Sequence, residues 1–272
     1  LLRTPLVPEE SFSDDPLRML RAARFVANYR LHPVVGLMEA ASRLAERLNI
    51  VSRERIREEI LRLLAVDDPR AGLEFLVETG LLERVLPEIA ELDELSRRAT
   101  FDRVSITSAD PLVRLAAMLL DLGPVVVHGR VNALRFSRRE TNTVVNIVGI
   151  VDQVRSGPSE DDWSVEEIRR MAHGAGELLD RALNLAVAAG ADTKGLVAAV
   201  SELREVGELE DLGPALNGRQ VMAALDLMPG PEVGEALAWL ADLRLREGRC
   251  SVQEAEVYLV DWWGNRKTGT HS

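Results

Sequence analysis

Cysteine and aromatic residues are scarce in this sequence of 272 residues. Its single cysteine, Cys250, excludes an internal disulfide and fits a reducing compartment, so we expect a cytoplasmic protein. Aromatic residues make up 4% of the chain, whereas alanine, leucine, glutamate and arginine, which favour helices, are abundant. We find no apolar run of the roughly 20 residues that a membrane-spanning helix needs. No signal peptide is evident either, so no membrane attachment is expected.

The charge distribution limits where nucleic acid could bind. The net charge is −11, which argues against a protein that binds nucleic acid over its whole surface. Residues 1–60, however, contain ten arginines against nine acidic residues, so the acidic excess lies further along the chain. Any phosphate binding is therefore expected to be local and close to the N-terminal end.

Apolar residues recur with a helical period along nearly the whole chain, and no segment alternates as a strand would. The sequence therefore predicts an all-α fold. Residues 1–13 are predicted to be an extended lead-in to a helix at about residues 16–29, and the polar stretch 91–110 is predicted to be a linker. Predicted helix N-caps are Ser52, Ser164 and Asn217.

Asp15 and Arg18 stand three residues apart at the start of a predicted helix, so both side chains project from its first turn. Arg21 and Arg24 continue the same spacing. A carboxylate beside a guanidinium offers a hydrogen-bond acceptor next to a planar donor, which matches the pairing edges of adenine and cytosine but not those of guanine and uracil. In the simpler alternative, Asp15 only caps the helix and Arg18 is its surface ion-pair partner. The spacing alone leaves both interpretations open.

The stretch around this pair resembles a motif of bacterial class II CCA-adding tRNA nucleotidyltransferases and their poly(A) polymerase relatives. That motif, in the neck domain of the family, reads Glu/Asp-Asp-x-x-Arg and is followed by further arginines. Segments similar to later parts of the family's neck and tail follow in the same order. The stretches concerned are SFSDDPLRMLRAARF at 11–25, VSRERIREE at 51–59, GLL at 80–82, LPE at 86–88, LNGRQVM at 216–222 and PGPEVG at 229–234.

The resemblance implies multi-helical neck, body and tail domains in an elongated array. The neck would comprise residues 1–90 and the body residues 91–190. A tail at 191–263 would bind tRNA, and residues 264–272 would be a disordered end.

The resemblance also implies roles for single residues. Asp15 and Arg18 would pair with the base of the incoming CTP or ATP, and the region of Arg21 and Arg24 would support the nucleotide. A brace between the neck helices is implied for three further residues, for each of which a capped, charge-rich helix is the alternative. These three residues are Glu54, Arg55 and Glu59.

Nucleotidyl transfer in this family needs Mg²⁺ held by carboxylates, which a separate N-terminal head supplies. The head has a Gly-Gly or Gly-Ser turn and an Asp-x-Asp pair, and the present sequence has none of these. It begins with Leu1, where the head would have ended. We therefore expect no catalytic residue and no metal ligand in this chain, which would be inactive alone. It would be a truncated enzyme or a remnant that needs a head in cis or in trans.

One helix of the body resembles that of HD phosphohydrolase-like segments, in which histidine directly precedes aspartate. Here Leu120 precedes Asp121, so the imidazole ligand is missing. His128 and His173 are expected to be ordinary polar or core histidines. This segment is therefore expected to be structural, and an HD-type phosphohydrolase is disfavoured.

The sequence thus predicts the C-terminal part of a tRNA nucleotidyltransferase that adds CCA to tRNA 3′ ends. This part would supply the selection of CTP and ATP and the binding of tRNA. The alternative is a non-catalytic helical RNA-binding protein derived from that family. Addition of CCA, of CC only, of A only and of poly(A) are all compatible with these motifs.

Overall fold

The computed structural model describes residues 1–158 and 162–269. Within these residues every helix-or-strand element is a helix, and the one β-type pairing is an isolated parallel bridge between Leu2 and Pro33. The predicted all-α class is confirmed. The α-helices are α1 (Pro8–Asp14), α2 (Leu17–Tyr29), α3 (Val35–Leu44), α4 (Arg53–Leu64), α5 (Arg70–Glu78), α6 (Leu81–Val85), α7 (Pro87–Ala90), α8 (Glu94–Ile106), α9 (Pro111–Leu119), α10 (Gly123–Ala133), α11 (Arg138–Ser156), α12 (Val165–Ala175), α13 (Leu179–Ala188), α14 (Lys194–Glu205), α15 (Gly218–Leu225), α16 (Pro231–Glu247) and α17 (Val252–Gly269). Short 3₁₀ segments are Ala45–Ile50, Leu120–Leu122 and Gly176–Leu178.

The backbone divides into two compact units. The first comprises Leu1–Gly157 and Glu177–Asp192, and the second comprises Pro158–Gly176 and Thr193–Ser272. The first unit takes in the expected neck and most of the expected body, and the second takes in the expected tail. The finer division into neck, body and tail stays a prediction.

Two segments that the sequence predicts to be irregular are helical. Helix α1 begins at Pro8, a residue suited to a first helical turn, and buries Phe12 completely. Helix α8 is capped by Asp93, whose side chain accepts a hydrogen bond from the backbone N–H of Ser96 at 3.0 Å, and it buries Phe101. In both cases one buried aromatic ring anchors an otherwise polar segment, which a local polarity pattern does not reveal.

The predicted N-caps are all present. The Ser52 side chain accepts from the backbone N–H of Arg55 at the start of α4. Ser164 forms a capping box with Glu167 at the start of α12, and Asn217 caps α15 in the same way. These helix starts depend on residues within one turn, which is why the sequence alone locates them.

One segment, Pro111–Ala133, has the length and composition of a membrane-spanning helix, so the expectation that no such run exists was wrong. Half of the window concerned is buried inside the protein. The segment is also interrupted, because α9 ends at Leu119 and Gly123, with φ at 76°, begins α10, a helix that the sequence does not predict. Such a broken and half-buried segment is typical of a protein core.

In the second unit, α15, α16 and α17 enclose an apolar core that includes Val221, Leu240 and Leu259. Trp239 of α16 stacks on Trp262 of α17, with 4.8 Å between the ring centroids. Helix α17 continues through residues 264–269, where the polar sequence predicts a disordered end. Residues 270–272 lie outside the described residues.

Helices α2 and α5 approach each other closely at Gly72 of α5. A Cβ atom at this position would lie 2.6 Å from the backbone oxygen of Ala23 and 2.6 Å from Cδ1 of Leu63. The oxygen belongs to the backbone of α2, so it cannot move aside without displacing that helix. A residue larger than glycine would therefore separate α5 from α2, the helix that carries Arg18.

We expect Gly72→Ala to lower the free energy of unfolding by about 1–2 kcal/mol, a typical result of overpacking. Urea denaturation followed by circular dichroism measures this change. Gly36→Ala is the matched control, because a Cβ atom at Gly36 in α3 would meet nothing within 4 Å. Equal stability of the two variants would contradict the close approach of α2 and α5.

Candidate functional site

The predicted base-reading residues lie where α1 ends and α2 begins. Asp15 follows the last residue of α1 in an extended conformation, with φ at −139°. Its Oδ1 accepts a hydrogen bond from the backbone N–H of Leu17 at 3.3 Å, so this carboxylate also caps the first turn of α2. Arg18 is exposed on that same turn. The acceptor Asp15 therefore lies just before α2, and the donor Arg18 lies in its first turn.

Asp15 is paired with Arg55 of α4 rather than with Arg18. The Nη2 atom of Arg55 lies 3.2 Å from both carboxylate oxygens of Asp15. Arg18 instead donates from Nη1 to Ser11, at 3.3 Å to its backbone oxygen and 3.1 Å to its Oγ. The three-residue spacing therefore does not produce the surface ion pair of the simpler interpretation. Asp15 and Arg18 are oriented separately, each by a residue from another helix.

Glu59 of α4 is a buried carboxylate, 1% exposed, to which three arginines are bound. Its Oε1 lies 3.2 Å from Nε of Arg21 and 3.0 Å from Nη1 of Arg62, and its Oε2 lies 3.3 Å from Nε of Arg24. Arg21 and Arg24 contact Glu59 through Nε, so this contact does not use their terminal Nη atoms. Glu59 thereby joins α2 to α4, the geometry that a brace between neck helices requires.

The two other residues implied to brace the neck differ from Glu59. Arg55 holds the carboxylate of Asp15 and so orients the proposed base-reading acceptor itself. Glu54 is exposed in the first turn of α4, and the described residues provide it with no ion-pair partner. The structure thus brings Arg55 and Glu59 against α2 but leaves Glu54 facing solvent.

An open cavity of about 450 Å³ lies between residues 2–6, α1 and α2. Arg18 and Arg21 line it, and Phe25 and Arg3 contribute an aromatic ring and a further cation. This volume falls in the range of small-molecule sites. Apolar walls suit a planar base, and guanidinium groups suit phosphate oxygens. The lining thus combines apolar contact surface with positive charge.

Sequence reasoning missed the role of Ser11. This residue is 1% exposed and holds the side chain of Arg18 from the last turns of α1. It was missed because α1 was predicted to be extended. The start signal Pro8-Glu9-Glu10, a proline followed by two acids, could have revealed the helix and with it the position of Ser11.

In the HD-like segment, Leu120 and not a histidine directly precedes Asp121. Leu120 is buried, and Asp121 is bound by Arg103 and Arg155, each with a nitrogen at 2.8 Å from one carboxylate oxygen. Burial alone would raise the pKa of Asp121, but the hydrogen bonds and charges of Arg155 and Arg103 outweigh it and hold the pKa below its usual value. The two histidines considered as ligands, both exposed, are His128 and His173.

A comparison with known proteins identifies relatives of the whole chain. The family profile described as "Probable RNA and SrmB- binding site of polymerase A" matches residues 36–92. The chain is 30% identical to the A-adding tRNA nucleotidyltransferase of Deinococcus radiodurans, with 94% of this chain and 70% of that protein aligned. It is also 30% identical to the CC-adding tRNA nucleotidyltransferase of Thermus thermophilus, with 98% and 71% aligned.

Among solved structures, the chain is similar to the Bacillus stearothermophilus CCA-adding enzyme in complex with CTP. The TM-score is 0.71 at 21% identity, and the match covers 98% of this chain and 66% of the solved one. The chain therefore shares its fold with a large part of that solved structure.

The two relatives at 30% identity, aligned over 70% and 71% of their lengths, identify the family. This chain belongs to the CCA-adding tRNA nucleotidyltransferases and their poly(A) polymerase relatives. The resemblance carried by the sequence motifs is confirmed. The chain is accordingly a tRNA nucleotidyltransferase-related protein, and it spans 66% of the length of the solved enzyme.

Proposed function

We propose that this chain selects CTP and ATP and binds tRNA as part of an enzyme that adds CCA to tRNA 3′ ends. Asp15 and Arg18 read the base, and Arg21 and Arg24 support the nucleotide. The observation that carries this proposal is the first turn of α2. Arg18 in this turn and Arg21 one turn further line a cavity of about 450 Å³ that also has Phe25 in its wall. Asp15 directly precedes the turn and is held there by Arg55, although it is not among the residues that line the cavity.

The chemistry of base selection follows from the two side chains. Adenine and cytosine each present an amino donor next to a ring-nitrogen acceptor, so Asp15 accepts from the first while Arg18 donates to the second. Guanine and uracil present the reverse order and would face like groups. Arg55 supports the selection because its guanidinium orients the carboxylate of Asp15. Arg18 uses only Nη1 in its bonds to Ser11, which leaves Nε and Nη2 for a base.

The residues described do not fit a catalytic Mg²⁺ ion. No group of three or more His, Cys, Asp or Glu side chains suited to a metal occurs among them, and both oxygens of Asp121 are bound by arginines. In the proposed division of labour, a nucleotidyltransferase head in cis or in trans holds Mg²⁺ and performs the transfer. This chain contributes the choice of nucleotide and the position of the RNA.

We expect Asp15→Ala and Arg18→Ala each to weaken the binding of CTP and ATP by about 10-fold or more. Each variant loses a charge-assisted hydrogen bond, worth about 1.5–3 kcal/mol. Each should also reduce the preference for CTP and ATP over GTP and UTP. Titration of this chain with a fluorescent CTP analogue measures the affinity. Competition by each of the four nucleotides measures the preference.

Asp14→Ala is the matched control, since Asp14 is an exposed carboxylate next to Asp15 and should not change nucleotide binding. Unchanged selectivity in both Asp15→Ala and Arg18→Ala, or an equal loss in Asp14→Ala, would contradict the proposed base reading. Robust incorporation of CTP or ATP into tRNA by this chain alone would contradict the assignment of the chemistry to a head. If tRNA binds but no nucleotide preference exists, a purely RNA-binding role is the better description.

A further inference from the structure

A second basic surface lies at the turn between α10 and α11. Arg135, Arg138 and Arg139 are exposed there within five residues of sequence, and no acidic side chain in the described part of the chain pairs with them. The nearest acid in the sequence is Glu140, whose Oε2 is engaged in the capping box of α11. It accepts from the backbone N–H of Ser137 at 2.8 Å and from its Oγ at 2.7 Å. The three guanidinium groups therefore have no ion-pair partner among the residues described.

This absence of partners distinguishes the cluster from the arginines around the nucleotide site. Arg21, Arg24 and Arg62 are bound to Glu59, and Arg55 is bound to Asp15. Three unpaired arginines in one turn of a chain with a net charge of −11 mark a place where an anion from outside can bind.

The turn that carries this cluster is held in a fixed conformation by α4. Arg57 of α4 donates from Nη1 to the backbone oxygen of Arg135, and its guanidinium lies 5.7 Å from the ring centroid of the buried Phe136. Arg135 has φ at 59°, in the left-handed region that residues with side chains seldom adopt. Such a conformation persists only where surrounding contacts impose it, so the arginines sit on a constrained turn.

The same helix links this turn to the nucleotide site. Arg55 of α4 binds Asp15, and Arg57, two residues further along the same helix, binds the turn at 135–136. They therefore point about 200° apart around the helix axis. The two sites consequently lie on opposite sides of α4, and an RNA strand that reaches both has to extend past this helix.

We propose that Arg135, Arg138 and Arg139 bind backbone phosphates of the RNA whose 3′ end is presented at Asp15. The inference rests on the proposed function, because it takes RNA to be the substrate. Guanidinium groups bind phosphate oxygens through paired hydrogen bonds, and such contacts position the RNA without reading its sequence. The cluster thus anchors the strand just upstream of its reacting end.

The test compares the double variant Arg138→Gln/Arg139→Gln with the unaltered chain. Binding of a tRNA transcript that lacks its 3′ CCA is measured by filter binding over a range of KCl concentrations. We expect about 10-fold weaker binding at low salt. The slope of log K against log salt should fall by about 2, since each phosphate contact contributes about 0.9. CTP binding should be unchanged, and circular dichroism verifies the fold.

Arg98→Gln is the matched control, because Arg98 is an exposed arginine of α8 without an ion-pair partner in the residues described. Unchanged tRNA affinity and salt slope in the double variant overturn the proposal, and so does an equal loss in Arg98→Gln. Loss of binding to polyglutamate with tRNA binding intact assigns the surface to an acidic protein and overturns it as well. The base-reading proposal fails separately, through nucleotide selectivity in Asp15→Ala.

Discussion

Arg114→Met is expected to lower the free energy of unfolding by about 4 kcal/mol, because it removes a buried charge that hydrogen-bonds several buried carbonyl groups. Arg114 of α9 is 2% exposed. Its Nε donates to the backbone oxygen of Thr107 at 3.2 Å, and its Nη2 donates to that of Asp67 at 2.9 Å. Its Nη1 donates to the backbone oxygens of Leu64, at 2.8 Å, and of Val66.

These acceptors explain the size of the expected effect. Most of them are carbonyl groups at and just beyond the C-terminal end of α4, which have no partners within the helix and carry its partial negative charge. Burial lowers the pKa of Arg114, and the charges of Asp68 and Asp67 oppose this shift without cancelling it. Methionine fills a similar volume but leaves the carbonyl groups buried without donors.

Urea denaturation measures this loss, and two further variants identify its origin. Arg114→Lys keeps the charge but lacks the planar set of five donors, so it should fall between the unaltered chain and Arg114→Met. Arg98→Met removes an exposed arginine of α8 and should change stability by about 0.5 kcal/mol at most. A loss below about 1 kcal/mol for Arg114→Met, the range of a surface ion pair, would contradict the buried role.

Glu59→Gln is expected to lower the free energy of unfolding by about 3 kcal/mol, since it removes the charge that balances three arginines. Arg21, Arg24 and Arg62 would then face one another without a carboxylate, although their partial exposure limits the effect. Arg21 would also lose its orientation beside the cavity. CTP binding should therefore weaken in the folded variant, by about 5-fold if one hydrogen bond of about 1 kcal/mol is lost.

The neighbouring residue provides the control for this variant. Glu58 is exposed, and its carboxylate lies 3.9 Å from Nη2 of Arg62, so Glu58→Gln should have little effect. Denaturation and CTP titration of both variants separate the two roles of Glu59. Equal behaviour of Glu58→Gln and Glu59→Gln would show that the buried carboxylate does not brace α2 against α4.

The sequence predicted those elements whose signals are local. The cap at Asn217 and the capping box at Ser164 depend on residues three positions apart, and the structure shows both. Helices α1 and α8 were missed because each is fixed by a buried aromatic ring, Phe12 or Phe101, against other helices. The burial of one ring in a polar stretch is a property of the assembled core, and no spacing pattern announces it.

The start of α2 likewise separates what local sequence predicts from what packing decides. The sequence by itself placed Asp15 and Arg18 at the start of a helix, and its motifs identified the family. In the structure Arg18 lies in the first turn of α2, whereas Asp15 is extended just before it. Only the tertiary structure decided which partners hold them: Arg55, which lies 40 positions from Asp15, and Ser11 on a helix that was not predicted. Charged side chains bind whatever partner packing brings within reach, and packing joins residues that are distant along the chain.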